Sequence, residues 1–218
     1  MTMPFLLLVI DNPIFILPII AIQLLFFACL TIRTNFLNIN WRFLFKSLLV
    51  MFPFKIIGVI GLLSLPGNVL IGIVLLITVI YAVAYIFNFQ LRSNNRFTDS
   101  CLLALGAYIS GTSLMGSPAI IAVFLRHVAR NMFRETLFVL WIILVVIKLV
   151  AFIVTGTDLQ LIHQFWLLPC AALGHYFGDK MHHKLKDMDS NVFMRVMGFV
   201  LLIVAGAGLW NTFIRHHV

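Results

Sequence analysis

The sequence predicts an all-α, polytopic helical membrane protein: two inverted repeats with six to seven spans plus a re-entrant broken helix. Three observations carry that prediction: an apolar excess, a pattern of basic loops and a motif that recurs along the chain. With 62% hydrophobic residues, 10% charged residues and a mean hydropathy of +1.10, the 218 residues hold more apolar surface than one water-soluble core can hide. A spanning helix needs about 20 mainly apolar residues, and such stretches occupy residues 14–32, 43–65, 69–87, 136–154, 161–177 and 192–212. A β-barrel would alternate apolar and polar positions, whereas 69–87 and 136–154 are apolar all round with Lys148 between them as the one charge.

Taken in order, the N-terminus Met-Thr-Met-Pro-Phe has no basic lead and no small-residue cleavage site, so it does not read as a secretory signal. The apolar run at 4–10 is too short to span. Asp11-Asn12-Pro13 reads as a helix cap with proline opening the first span. Cys29, Cys101 and Cys170 lie in apolar stretches far apart in sequence, so they read as packing residues and not as a disulfide framework or a metal set. The net charge of +8 does not imply nucleic acid, because the basic residues sit in short loops beside the spans.

Those loops set the topology. Basic residues collect at Arg33, Arg42 and Lys46, at Arg92 and Arg96, at Arg126, Arg130 and Arg134, and at Lys180, Lys184, Lys186 and Arg195, while the loops at 64–68 and 155–161 have none. If basic loops face the cytoplasm, residues 98–128 must enter and leave the membrane on one face. The sequence there agrees: an apolar run at 101–109, then Ser110-Gly111-Thr112-Ser113-Leu114-Met115-Gly116-Ser117-Pro118, then a second run at 119–128. Glycine, hydroxyls and proline are what a helix break at membrane depth requires, and such backbone is tolerated only inside protein or around a watery cavity.

The chain also repeats. Pro53, Gly58 and Gly61 in the second span recur as Pro169, Gly174 and Gly178 in the fifth, and Gly-Ile-Val-Leu-Leu-Ile from Gly72 recurs as Gly-Phe-Val-Leu-Leu-Ile from Gly198. The longer offset of the second pair falls in the charged loop at 179–189. With the topology above, the two copies run in opposite directions, the arrangement of many secondary transporters.

These residues resemble the TauE/SafE sulfite exporter family (TSUP) over nearly the whole chain. Gly111 to Ala119 looks like its second-half signature, Leu173-Gly174-His175-Tyr176-Phe177-Gly178 like its closing LGxxxG segment, and Asn40-Trp41-Arg42 like its polar lead-in. Leu114 stands where glycine is usual, and Ser117 and Ala119 where glycine and a second proline are usual. Met3-Pro4 resembles the tail of the family's first glycine-rich motif, so residues 1–91 read as a first repeat shortened at its N-terminus and 92–218 as the second, within one membrane domain. The resemblance implies a permease or exporter in a bacterial inner membrane, for sulfite, thiosulfate, organosulfonates or related organic anions. Transport would be secondary, because no GxxxxGK[ST] motif is present.

The expected substrate-binding residues are Gly111, Thr112, Ser113, Gly116, Ser117 and Pro118, where a half-helix N-terminus offers N–H groups to an anion, and Lys55, a charge near mid-membrane. His175 is the expected proton-coupling residue. On a purely structural reading the hydroxyls cap broken backbone, Lys55 lies against carbonyls, and His175 bonds between helices. Lys148, six residues from Val154, is expected to snorkel to the outer interface. No cofactor, metal, catalytic group or nucleic acid is implied; the partners are a small anion and the bilayer, with a homo-oligomer left open. Two other readings compete. One is a non-transporting or degenerate subunit; the other is an intramembrane hydrolase using Ser113 and His175.

Overall fold

A computed structural model describes residues 3–10, 12–32, 38–87, 95–114, 117–185 and 190–215, and among them only helices and their connections occur. In chain order the helices are α1 (Met3–Leu7), α2 (Pro13–Ile32), α3 (Trp41–Ser64), α4 (Gly67–Ile86), α5 (Arg96–Ser113), α6 (Ser117–His127), α7 (Arg130–Val154), α8 (Leu161–Leu185) and α9 (Ser190–Arg215). Among the described residues four are long and apolar enough to cross a membrane: Pro13–Ile32, Trp41–Ser64, Gly67–Ile86 and Asn131–Val154. Leu161–Gly174 and Arg195–Trp210 are shorter apolar stretches within α8 and α9. The polytopic helical fold expected from composition is therefore the one observed. In α8 the backbone stays helical to Leu185, so much of the expected charged loop extends a helix.

Helix starts follow local chemistry. The Asn12 side chain accepts from the backbone N–H groups of Ile14 (3.1 Å) and Phe15 (3.3 Å), with Pro13 opening α2, as expected. Asn40 caps α3 by accepting from Phe43 N, and its own N–H donates to Thr136 Oγ1 on α7, both at 3.1 Å.

The chain divides into two compact units, each drawing on segments from both sides of residue 91. The first comprises Met1–Ile19, Gly67–Gln90 and Gln160–Val218. In it α4 and α9 pack closely and antiparallel: Gly208 lies against Leu75, and Gly198 against Ala82 and Ile86. A Cβ on Gly198 would stand 2.8 Å from the Ala82 carbonyl oxygen, so glycine is what lets these backbones approach. Helix α1 packs on both, and Gln164 Nε2 donates to Ile19 O at 3.3 Å.

The second unit comprises Ile20–Pro66 and Leu91–Leu159. Here α3 buries one stripe, Leu44, Ser47, Met51, Lys55, Gly58 and Leu62, at the three- and four-residue spacing of a single helix face. Leu44 and Met51 join Leu103 and Ala107 of α5, Ile120, Val123 and Phe124 of α6, and Leu137, Leu140 and Leu144 of α7 in one apolar core. Other faces stay apolar where exposed, as at Phe45, Leu49, Ile60 and Ile153, which suits contact with lipid.

The cysteines correct an expectation. Cys29, Cys101 and Cys170 are free and exposed, and do not pack inside the fold. In a bilayer an apolar position need not be interior, so their apolar surroundings in sequence gave no sign of burial.

Candidate functional site

The hairpin expected at 98–128 is present as α5 and α6. Helix α6 has 11 residues, about 16 Å of rise, and is too short to span. The two open ends of the hairpin are held together at its base: Asp99 Oδ2 lies 2.7 Å from His127 Nε2 and 3.5 Å from Arg126 Nη1. Phe43 of α3 stacks on the His127 ring and meets Phe124 edge-on, each at 5.0 Å between centroids. Sequence reasoning missed this clasp, since Asp99 and His127 carry no motif; an acid in the first turn of one arm and bases in the last turn of the other were its one signal.

At the other end of the hairpin the helix breaks. Helix α5 stops at Ser113 because Leu114 turns into the left-handed region (φ 59°, ψ 14°), with its N–H bonded back to Ser110 O at 3.3 Å. That is a C-terminal cap of the kind glycine normally supplies. The position at which the resemblance leads one to expect glycine is thus one whose backbone favours it. Gly116 lies outside the described residues. Helix α6 then begins at Ser117, with Pro118 in its first turn as expected, while the Ser117 side chain also lies outside the described residues.

Lys55 is fully buried, and its Nζ donates to Ser110 O and Ser110 Oγ, both at 2.9 Å. Ser110 O accepts from Leu114 N as well, and it lies in the last turn of α5, where the helix carries the negative end of its dipole. Helix α5 has no basic residue in its last turn, so the cation that complements this end comes from α3. The approach is fixed one turn away, where α3 and α5 cross at Gly58 and Gly111. A Cβ on Gly58 would stand 2.5 Å from Tyr108 O, and one on Gly111 2.8 Å from Gly58 Cα and 2.9 Å from Lys55 O. Two glycines at the crossing therefore bring Lys55 within reach of Ser110.

The neighbouring hydroxyls look inward. Thr112 Oγ1 and Ser113 Oγ are buried and each donates to Ile109 O at 3.0 Å, the capping arrangement. They leave lone pairs for any further partner, so ligating an anion would require each hydroxyl to rotate. Ser113 also spends its proton on that carbonyl, which is not how a hydrolase nucleophile is held.

Of the expected residues, the structure thus gathers Lys55, Gly111, Thr112 and Ser113 at the end of α5, and adds Ser110. His175 belongs to α8 in the other compact unit, and its side chain lies outside the described residues. Lys148 departs from expectation. It is fully buried, with no hydrogen-bond partner for its Nζ among the described residues, and does not reach an interface. The physical reason is its register: Leu137, Leu140, Leu144, Lys148 and Phe152 form the buried stripe of α7, so the side chain must point inward.

The chain matches the family described as Sulfite exporter TauE/SafE over residues 1–209. It belongs to that family. No curated protein sequence and no solved structure matches it significantly. TauE/SafE proteins are transporters and not enzymes, so membership makes the chain a multi-pass membrane protein of a sulfite and anion exporter family.

Proposed function

We propose that this TauE/SafE protein is a secondary permease of a bacterial inner membrane that exports a small oxyanion, sulfite or a sulfonate, through the break between α5 and α6. The observation that carries the reading is the pairing of Lys55 with Ser110 at that break. A buried lysine at the end of α5 gives an anion a countercharge when protonated, and the first turn of α6 gives it backbone N–H groups. The anion would take over part of the coordination that Ser110 supplies without it. The recurring proline and glycine pattern, and the antiparallel packing of α4 on α9, support an inverted repeat in which alternating access moves one half against the other.

Flux of sulfite in proteoliposomes tests this. Lys55→Gln keeps a hydrogen-bonding group near Ser110 but removes the charge, and should lower flux at least about tenfold with protein yield unchanged, the scale of one charge-assisted hydrogen bond. Lys55→Arg should keep part of the activity. Wild-type flux in Lys55→Gln would sink the reading.

A further inference from the structure

The described acids of the second unit are Asp99, Glu135 and Asp158. Asp99 lies in the first turn of α5 and Glu135 in the second turn of α7, while Asp158 follows the end of α7. None shares the depth of the two buried lysines. Helices α3, α5 and α7 begin at Trp41, Arg96 and Arg130, beside basic residues at one end of the unit. Measured along each helix, Lys55 and Ser110 both lie about 21 Å from the start, and Lys148 lies about 27 Å from it, at 1.5 Å per residue. The three apolar stripes that fill the core end one turn earlier, at Met51, Ala107 and Leu144. Beyond that apolar plug the inward stripes of α3 and α7 each present a fully buried lysine.

Two ammonium groups held in this low-dielectric interior, with none of the described carboxylates of the unit at their level, would repel each other and lack a countercharge. Lys55 has its Ser110 partners; Lys148 Nζ has none among the described residues. We infer that Lys148 is a second cationic ligand of the transported anion, and that Lys55 and Lys148 together form a two-lysine cage selecting doubly charged oxyanions over singly charged ones. A dianion between them balances both charges at once, whereas a monoanion leaves one unmatched. This inference rests on the anion-transport reading above.

The test uses the full chain in proteoliposomes, with sulfite at mildly alkaline pH as the dianion and methanesulfonate as the monoanion. Wild-type protein should favour sulfite by about tenfold or more, and Lys148→Gln should collapse that ratio by weakening sulfite about tenfold while changing methanesulfonate little. Lys148→Arg should keep the preference. Melting in detergent provides a second readout. Lys148→Met should melt higher than wild type without anion, because a buried amine with no described partner is replaced by an apolar side chain, and should lose the rise in melting temperature that sulfite gives wild type. A Lys148→Gln protein that transports sulfite with the wild-type preference overturns the cage and leaves the transport reading standing. So does destabilisation of both neutral variants in the absence of anion, which would make the lysine a structural element. Wild-type protein that moves neither anion overturns both.

Discussion

At the break the backbone of Leu114 sits at φ 59°, where a Cβ crowds the following carbonyl at a cost of about 1–2 kcal/mol. Leu114→Gly should remove that strain, less the extra chain entropy that glycine loses on folding, for a net gain of about 0.5–1 kcal/mol. The measurement is the melting temperature of purified protein, which should rise by a few degrees; an unchanged or lower value would show that the leucine side chain contributes more by packing than its backbone costs. At this scale the sequence was readable where a residue contradicts its surroundings. Lys55 stands out in an apolar stretch, and its burial follows from the cost of charge in lipid. Its partner Ser110 could not be read, because the contact is set by how two helices cross and not by spacing along the chain. Lys148 was legible in principle because it continues the four-residue spacing of Leu140 and Leu144, but nearness to a helix end argued for the interface and misled.

Among the elements, α3 carries a natural control for the crossing that places Lys55. Gly58 is in backbone contact with α5, while Gly61, three residues on, has nothing within 4 Å of an added Cβ. Gly58→Ala should therefore cost about 1–3 kcal/mol by overpacking against backbone that cannot yield, and reduce transport by pushing Lys55 off Ser110. Gly61→Ala should stabilise by about 0.5–1 kcal/mol, since alanine is the better helix former. Thermal melting of the two variants side by side decides this, and equal effects would mean the helices cross elsewhere. Element type and order were legible because apolar runs near 20 residues leave little choice. The clasp of Asp99 with Arg126 and His127 was not, since only the folded hairpin brings the first turn of α5 to the last turn of α6.

For the molecule as a whole, the basic loops and the closed base of the hairpin make one claim about sidedness. Cysteine tags at Arg96 and Arg130 should both react from the cytoplasmic side, and tags at Gly67 and Asp158 from the other. The native Cys29, Cys101 and Cys170 are exposed and free, so replacing them by serine or alanine for such labelling should cost little packing. Opposite labelling of Arg96 and Arg130 would rule out the same-side hairpin. The repeat was visible in sequence as recurring glycines, but the way the halves share their packing was not. Each compact unit takes helices from both halves, and no spacing along the chain specifies which helix pairs with which.

The bond between Lys55 and Ser110 joins positions 55 residues apart, and that separation is also an interval of time. At about 5–20 residues per second, synthesis takes roughly 3–11 s to bring Ser110 into existence after Lys55. Throughout that interval α3 holds a charge with neither of its final acceptors. Newly made α3 is therefore expected to ride high in the bilayer, its lysine stretched towards the headgroups, and to settle to full depth only when α5 arrives and offers its C-terminal carbonyl.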